Sequence, residues 1–596
     1  MKKFLLRFAV AALALCLGVP GARAVDTDQN GHVIIRVGLA SSSSHVETGE
    51  LEAANLENNT GYGSGYRFGY YDSGRNFVEL ARTDASVTRV SVLKTQNLYY
   101  VSSRNTYASS GGSVLVGCYH VRIAGEYPDY GSAQAGAAAV SGGFPAWIDG
   151  SYQVRAGAYA SKEDAEAAMD GLPGAVGVVG TSAYGMSVVV TGTGQVLFQY
   201  DCGESGALGI QPDVTGAGET RTWFSGYKYR GGFQYHRRNG GNLTVVNMVE
   251  LEDYVNGVVC YEMGRGWPLE ALKAQALCAR TYVMKNLGKH NSFGFDICPT
   301  AYCQAYHGMG SNKENYGPSE VSMQAVRETA GMVITYNGKL AETFYSSSFG
   351  GASEDAKYVW GTDTAVEYPY LCGVVDPYEA ALNDSNPRSP WSVHYTAGEL
   401  TKKLQSSGLG TSSSVQSLEL TYSERGNVIL AVIHWANGRT NTLTPSNIRS
   451  SFGVSSIHFT VNGQTPAGTQ PAAPAEPSVG SGVSINGVQT GAGTSGLYAV
   501  SEDGTVSGLE ERPYVISGEG TVSPLETGGT TQEPIPVPPG QGGTVLVSGD
   551  SYLFEGGGLG HQVGMSQFGA NAMARQGFVC DSIITFYFPG VQITHY

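Results

Sequence analysis

The sequence predicts a multidomain α+β protein. Glycine accounts for 83 of 596 residues, roughly twice the ~7% norm, which is typical of turn-rich β structure and linkers. Helical periodicity and alternating apolar–polar segments occur in separate parts of the chain, and the length alone predicts about three or four units. A mixed body of helices and β-ribbons with an inserted βαββαβ module would account for these features.

Residues 1–24 have the composition of a secretory signal peptide. Three basic residues precede an apolar stretch at 8–19, and Ala22 and Ala24 give the small-residue pattern of a cleavage site. We therefore expect export, to the cell wall or the outer face of the membrane. An uncleaved anchor is the alternative.

Two units are expected before the main body. Residues 25–116 alternate apolar and polar side chains, which predicts strands. Within 117–192, the stretch YHVRIAGEYPDYGSAQAGAAA is echoed by YQVRAGAYASKEDAEAAMDGL, so a strand, a small-residue turn and a helix occur twice. Ser161, three residues before Asp164, is expected to cap the second helix.

A main body is expected at 205–463, and one of its helices is well marked. Pro268 fits the first helical position, because its missing N–H would have no intrahelical acceptor. Apolar residues then recur at three and four residues to give a core face: Leu269, Leu272, Ala276, Ala279 and Val283. Lys273 and Arg280 share a neighbouring face, where they could position substrate or a loop, or lie as solvated charges.

Glu262 is the residue most suggestive of chemistry. The pattern places it on a short turn with glycine and Trp267, between two amphipathic helices. A carboxylate held there could face a cleft and act as an acid catalyst, although an ordinary surface charge fits equally well. The pattern alone leaves both interpretations open.

The rest of the chain divides into a linker and a closing segment. Residues 464–545 are rich in Pro, Gly, Ser and Thr, which predicts linkers around a small β unit formed by GLYAVSEDG and ERPYVISGEG. Residues 546–596 contain His561 in the glycine-rich string GLGHQVGMSQFGA. Its glycines let backbone approach a ligand, so His561 has either a site role or a structural turn role.

Charge and cysteine content narrow the function classes. The formal net charge is −15, and the chain has no obvious basic patch, so nucleic acid is excluded as a partner and a sugar polymer is favoured. Cys298 and Cys303 lie near His290 and His307 with ligand types that suit zinc, while a disulfide or free thiols remain open. Cys118 and Cys202 are expected to form a disulfide at the base of the 117–192 module.

Four ordered segments resemble the sporulation stage II protein D (SpoIID/LytB) family. They are the run LEDYVNGVVCYEM that ends beside Glu262, and further along ETFYSSSFGGASEDAKYVWG, PYLCGVVDP and GGLGHQVGMSQFGANAMARQG. The resemblance implies a peptidoglycan lytic transglycosylase that cleaves MurNAc–GlcNAc strands in wall remodelling or sporulation and leaves 1,6-anhydro-MurNAc ends. Glu262 maps to the family's acid/base. Candidate substrate contacts are Lys273, Gln275, Arg280, Ser347, His561, Ser566 and Gln567.

Some positions depart from the family pattern. Leu559, Gln562 and Phe568 replace the common Trp, Gly and Tyr, which puts substrate affinity in doubt more than the reaction. Tyr302 replaces a histidine that some members carry before the second cysteine. The implied enzyme requires no cofactor, and a structural zinc ion at Cys298 and Cys303 is the one metal to consider.

The duplicated segment at 117–192 resembles a SPOR domain, a module that binds glycan strands stripped of peptide. The resemblance implies that the sheet face carrying Tyr119, Val121, Tyr152 and Val154, or its opposite face, meets sugar. Peptidoglycan glycan strands are thus the expected partner. Two other functions compete with the enzyme: a non-catalytic wall-binding protein that recruits or stimulates an amidase, and a purely structural surface protein.

Overall fold

The computed structural model confirms an α+β architecture with several separate sheets. It describes residues 27–180, 182–213, 219–312, 317–387, 389–410, 412–466 and 542–596, with short strands between 484 and 524. The expected signal peptide at 1–24 and most of the linker at 464–545 lie outside the described residues. Within the described ranges, no helix combines the length and apolar character needed to cross a membrane.

A six-stranded antiparallel sheet joins the N-terminal part to the main body. Its first strand, Ile34–Ala40, pairs with Thr244–Glu250, which leads directly into the helix that carries Glu262. Across the sheet the strands run in the order Ile34–Ala40, Thr244–Glu250, Gly232–His236, Ala207–Pro212, Tyr66–Tyr71 and Phe77–Arg82. The start of that helix is therefore anchored by strands from distant parts of the chain.

A second, ten-stranded sheet contains the duplicated segment at one end. Its strands are, in order, Ala175–Val179, Tyr119–Ile123, Ser151–Tyr159, Gly143–Ile148, Val196–Asp201, Met186–Val190, Arg89–Lys94, Ala53–Asn58, Thr222–Phe224 and Tyr227–Tyr229. A three-stranded sheet lies beside it, formed by Leu98–Val101, Thr106–Ala108 and Val114–Val116. Met186–Val190 falls within 117–192 but pairs with Arg89–Lys94, so the N-terminal part and the module share one continuous sheet.

The first four strands of the ten-stranded sheet and two helices follow the order βαββαβ. The helices are Tyr130–Ala138 and Lys162–Ala168, and Ser161 caps the second by accepting a hydrogen bond from the Asp164 N–H at 3.1 Å, as predicted. Both helices cover the face that carries Val121 and Val154. The opposite face presents the exposed Arg122.

The main body is built from helices, short strands and the closing segment of the chain. Its helices are Leu251–Glu262, Leu269–Lys285, Glu320–Glu328, Ala356–Trp360, Thr362–Glu367, Ala397–Ser406, Pro445–Phe452, Gln567–Arg575 and Cys580–Tyr587. Short 3₁₀ helices occur here and in the N-terminal part, at Ser102–Arg104, Met169–Gly171, Arg238–Gly240, Asn291–Phe293 and Glu379–Ser385. Pro268 precedes the second helix as its N-cap residue, one position earlier than predicted.

Residues 546–596 are integral to the body. The strand Gln592–His595 pairs with Met332–Tyr336, whose other edge binds Lys339–Leu340, and Met565–Ser566 runs parallel to Tyr345–Ser346. Two more sheets close around this segment, formed by Trp391–Thr396, Ser551–Gly556 and Phe459–Val461, and by Thr440–Leu443, Val428–Trp435, Val415–Tyr422 and Gly543–Ser548. The closing segment therefore completes the core that surrounds Glu262.

The linker contains three short hairpins. Tyr498–Val500 pairs with Val506–Gly508, and Tyr514–Ile516 pairs with Val522–Pro524. Both predicted apolar runs are therefore strands, but each forms a hairpin of its own instead of one unit with the other. A third hairpin joins Ser484–Ile485 to Val488–Gln489.

Candidate active site

Glu262 is the last residue of the helix Leu251–Glu262, just before the turn on which the sequence placed it. Its Oε1 accepts a hydrogen bond from the backbone N–H of Ala305 at 2.9 Å, and its Oε2 accepts one from Gln567 Nε2 at 3.2 Å. The Tyr345 hydroxyl hydrogen-bonds to the same carboxylate. Segments that are distant in sequence thus converge on one partly exposed acid.

Burial raises the pKa of Glu262 above its ordinary value. The cause is the loss of water around the charged form, which favours the neutral acid. Hydrogen bonds from Ala305, Gln567 and Tyr345 act in the opposite direction because they stabilise the anion, and burial outweighs them. The carboxyl group is therefore suited to hold a proton at higher pH than a free glutamate does.

Gln567 connects the acid to a second glutamine, Gln275, through hydrogen bonds. The Gln567 amide, which contacts Glu262, also donates to Gln275 Oε1 at 3.3 Å. Gln275 is fully buried, and its own Nε2 has no hydrogen-bond partner among the described residues. The predicted pair therefore lies at the site, with Gln567 touching the carboxylate and Gln275 one layer deeper.

Tyr345 joins Glu262 to a buried polar network. Its hydroxyl accepts from Gln304 Nε2 at 3.2 Å, and Gln304 in turn accepts from the Tyr254 hydroxyl at 2.9 Å. The sequence interpretation missed Tyr345, although it stands two residues before Ser347 in a family-like string. The period-2 alternation of a strand places residues 345 and 347 on one face, and that signal could have identified it.

His561 holds this strand and does not contact Glu262. Its Nε2 donates to the Tyr345 carbonyl at 3.1 Å, while its Nδ1 accepts from the Val563 N–H at 3.2 Å. Burial lowers the pKa of His561 to about 4, so the ring is neutral at physiological pH. Both ring nitrogens are engaged within the protein, which favours the structural role over direct substrate contact.

Ser347 and Ser566 also connect segments of the chain. The Ser347 carbonyl accepts from the Phe568 N–H at 3.0 Å. Ser566 is fully buried, where its hydroxyl donates to Glu379 Oε2 at 2.8 Å and accepts from the Gly569 N–H at 3.0 Å. Ser566 thus begins the helix that carries Gln567, and these contacts favour a positioning role for it.

Lys273 and Arg280 lie away from Glu262, on a helix with 13 of its 17 residues buried. Arg280 is fully buried and forms a two-point ion pair with Glu252, at 2.9 and 2.6 Å. Lys273 pairs with Glu270 at 2.8 Å and Glu328 at 2.5 Å. Neither cation is a solvated charge, and both stabilise contacts between elements of the body.

The other carboxylates considered from the sequence have partners elsewhere. Glu342 accepts from Asn286 Nδ2 at 3.3 Å, Glu354 pairs with Arg425 at 3.2 Å, and Asp355 pairs with Lys357 at 3.1 Å. Among the described residues, the recorded hydrogen-bond partners of Glu262 are Ala305, Gln567 and Tyr345, so no second carboxylate touches it.

A buried acidic pair behind the site was not anticipated. Glu379 accepts from Ser348, from the Phe349 N–H at 3.0 Å and from Ser566. Burial raises the pKa of Asp376, and the nearby negative charge of Glu379 raises it further. The Asp376 carboxylate accepts a hydrogen bond from the Tyr587 hydroxyl at 2.6 Å. The pair ties the loop after Ser347 to the start of the Gln567 helix.

His290, Cys298 and Cys303 come together as one cluster. Their ligand atoms all lie within 4.8 Å of one another, and His290 Nε2 is 3.2 Å from Cys303 Sγ. One imidazole and two thiols are a donor set that fits zinc. The expected fourth member, His307, does not join because it stacks on Tyr227 with ring centroids 4.5 Å apart.

The eight cysteines in the described ranges are all free. The predicted disulfide between Cys118 and Cys202 is therefore wrong: Cys118 lies just before the strand Tyr119–Ile123, and Cys202 follows the strand Val196–Asp201. The strands Ser151–Tyr159 and Gly143–Ile148 lie between those two in the sheet, which separates the thiols.

The family comparison agrees with this geometry. Residues 239–336, which include Glu262 and the cysteine cluster, match the family model described as SpoIID, Stage II sporulation protein. These residues therefore resemble a SpoIID domain. The chain is also 25% identical over 362 residues to Stage II sporulation protein D of Bacillus subtilis, a match that covers 59% of the chain and 76% of that protein.

Two other relatives are similar to this chain over stretches longer than the SpoIID match. An uncharacterized protein of Brachyspira hyodysenteriae is 36% identical over 192 residues, which is 30% of the chain and 49% of that protein. The amidase enhancer of Bacillus subtilis is 28% identical over 342 residues, covering 57% of the chain and 40% of the enhancer. The chain thus spans less than half the length of either of these two relatives.

Proposed function

We propose that this protein is a peptidoglycan lytic transglycosylase with Glu262 as its acid/base. The observation that carries the proposal is a partly exposed carboxyl with a raised pKa, contacted from three parts of the chain, of which the segments of Tyr345 and Gln567 are family-like. Its likeness to Stage II sporulation protein D supports a role in the bacterial cell wall during sporulation. Export from the cytoplasm, expected from residues 1–24, would bring it to that substrate.

One carboxyl group is sufficient for this reaction. Glu262 first donates its proton to the glycosidic oxygen, and the bond to the anomeric carbon of MurNAc breaks. The C6 hydroxyl of the same MurNAc then attacks that carbon and gives its proton to Glu262, which restores the acid. Ordinary glycosidases need a second carboxylate to activate water or form a covalent intermediate, and this reaction needs neither.

The products distinguish this reaction from hydrolysis. We expect digestion of peptide-free glycan strands to release fragments that end in 1,6-anhydro-MurNAc, lighter by one water than reducing ends. Mass spectrometry before and after borohydride reduction measures this, because anhydro ends resist reduction. Reducible ends would contradict the proposal and would require a second carboxylate.

The second candidate is a non-catalytic protein that stimulates a wall amidase. The likeness to the amidase enhancer of Bacillus subtilis favours it. Both candidates bind the wall, but an enhancer has no need of an acid at position 262. Removal of that acid therefore separates them.

We propose further that the βαββαβ module is SPOR-like and binds glycan through the face opposite its helices. The helices bury Val121 and Val154 on one face. On the opposite face other side chains are also buried, namely His120, Phe144 and Arg155. The exposed part around Arg122 is therefore the place left for a ligand. A cation there would complement the lactyl carboxylates that peptide removal exposes.

We expect the Glu262→Gln protein to sediment with peptide-free glycan more than with intact peptidoglycan. Arg122→Glu should weaken that binding several-fold by charge repulsion. The control Arg104→Glu should not, because this exposed arginine lies outside the module, in the 3₁₀ helix Ser102–Arg104. Equal sedimentation with both preparations would contradict the proposal that this module binds peptide-free glycan.

The His290–Cys298–Cys303 cluster is proposed as a structural zinc site. The bound ion would link His290, which follows the helix Leu269–Lys285, to the loop of Cys298 and Cys303. The same loop supplies the Ala305 N–H to Glu262. We expect roughly one zinc per chain by elemental analysis, and a lower Tm after chelation or in Cys303→Ser, because metal binding contributes folding free energy. Cys260→Ser is the control, since that thiol lies outside the cluster. A chain that holds far less than one equivalent, with an unchanged Tm after chelation, would contradict this site.

A further inference from the structure

Trp360 is a large aromatic side chain held in place at the surface beside the candidate site. It is 41% exposed at the end of the helix Ala356–Trp360. Its ring contacts Phe344 with centroids 4.8 Å apart and His561 with centroids 5.2 Å apart. Two rings therefore support the indole from the protein side while part of it faces solvent.

These supports connect Trp360 to the acid in two steps. Phe344 precedes Tyr345 in the chain, and His561 donates to the Tyr345 carbonyl at 3.1 Å. Tyr345 in turn hydrogen-bonds Glu262 through its hydroxyl. Trp360 thus lies beside the segments that hold Tyr345, without touching the Glu262 carboxyl itself.

A second aromatic pair reaches the acid through a different partner. Trp267 and Phe568, both partly exposed, pack edge to face with centroids 5.0 Å apart. Phe568 follows Gln567, which contacts Glu262, and Trp267 lies in the turn after Glu262. The two aromatic groups contact different residues of the strand Tyr345–Ser346 and its continuation. Trp360 approaches it at Tyr345, through His561, whereas the Phe568 N–H bonds the Ser347 carbonyl at its far end.

We propose that Trp360 is a sugar-binding platform on which a pyranose ring of the glycan stacks, one subsite away from the bond at Glu262. The inference rests on the proposed glycan substrate. The apolar C–H face of a sugar ring matches an exposed indole, and a supported ring loses little conformational entropy on binding. The Trp267–Phe568 pair lies beside Gln567, a different contact of the acid, and is the second aromatic surface that a glycan strand could meet.

The test measures binding in the Glu262→Gln background, where cleavage does not interfere. The probe is peptide-free glycan strands, and the dissociation constant is measured by isothermal titration calorimetry. Trp360→Ala should raise Kd by roughly five- to tenfold, and Trp360→Phe, which keeps an aromatic face, by no more than about threefold. Tyr358→Ala is the matched control, because Tyr358 is 40% exposed on the same helix and contacts Lys357.

Trp360→Leu tests whether a loss of binding reflects a folding defect. Leucine keeps apolar bulk against Phe344 and His561 but offers no aromatic face on which a sugar can stack. It should bind as weakly as Trp360→Ala while keeping the Tm of the parent. Unchanged Kd in both variants would overturn the platform. A loss of affinity equal to that of Tyr358→Ala would overturn it as well.

A second measurement separates this inference from the proposed reaction. With Glu262 intact, Trp360→Leu should raise KM and leave kcat within about threefold, because stacking contributes mainly to binding. A fall in kcat with unchanged KM would instead assign Trp360 to positioning through His561 and Tyr345. Absence of cleavage by the unmodified protein would contradict the transglycosylase, while the Kd series would still decide the role of Trp360.

Discussion

Glu262→Gln should lower glycan cleavage by roughly 10²- to 10⁴-fold while glycan binding persists. The substituted amide keeps the size of the side chain and can still bond the Ala305 N–H through its oxygen, but it cannot deliver a proton. Release of soluble glycan fragments from peptide-free strands measures the rate, and sedimentation measures binding. Because the change is isosteric, the fold around Gln567 and Tyr345 should remain intact.

Glu342→Gln is the matched control for this substitution. Glu342 is a buried carboxyl in a family-like segment, and burial raises its pKa as it does that of Glu262. Its recorded partner is Asn286, so its replacement should leave cleavage within a few-fold of the unmodified protein. Loss of cleavage in Glu342→Gln would indicate a second carboxyl in the chemistry and a hydrolytic mechanism.

The same variant decides between enzyme and enhancer. If the protein acts by stimulating an amidase, Glu262→Gln should stimulate as well as the unmodified chain, and neither should release glycan fragments alone. That result would overturn the transglycosylase. The geometry at Glu262 favours the enzyme, because a carboxyl that is partly exposed and has a raised pKa could reach a glycosidic oxygen in its protonated form.

The sequence predicted the helix after Glu262 because that helix depends on a local pattern. The acid role of Glu262 rested on the family resemblance and stays a prediction. Leu272, Ala276, Ala279 and Val283 are buried as their spacing indicated. The same spacing left Arg280 unresolved, since periodicity identifies a helix face but not what packs on it. Glu252, its partner, lies on the preceding helix, 28 residues earlier in the chain.

Long-range contacts account for the remaining differences. Met332–Tyr336 pairs with a strand some 260 residues later, and no local pattern specifies that partner. The role of His561 was also beyond local reasoning, because the glycines around it fit a turn and a ligand site equally well. Its hydrogen bond to the Tyr345 carbonyl, 216 residues away in sequence, is what favours the structural role.

Arg280→Met should lower the free energy of unfolding by about 3 kcal/mol, the lower end of what removal of one member of a buried ion pair costs, because Arg280 is fully buried but Glu252 is partly exposed. The methionine fills much of the volume but leaves the Glu252 carboxylate without its two-point partner. The substitution also removes a guanidinium that contacts the carbonyls of Val326 at 3.4 Å and Met332 at 3.2 Å. The midpoint and slope of urea unfolding, followed by circular dichroism, measure the change.

Two further variants make this test specific. Lys273→Met should cost about 1 kcal/mol or less, because Lys273 and its two glutamates are partly exposed and solvent screens their attraction. Arg280→Met combined with Glu252→Leu should recover part of the lost stability, since an apolar pair can replace a buried ion pair. Unchanged stability in Arg280→Met, together with a raised KM for glycan, would instead indicate that Arg280 binds substrate. The two-point pair with Glu252 on a helix buried on nearly every side argues for the structural outcome.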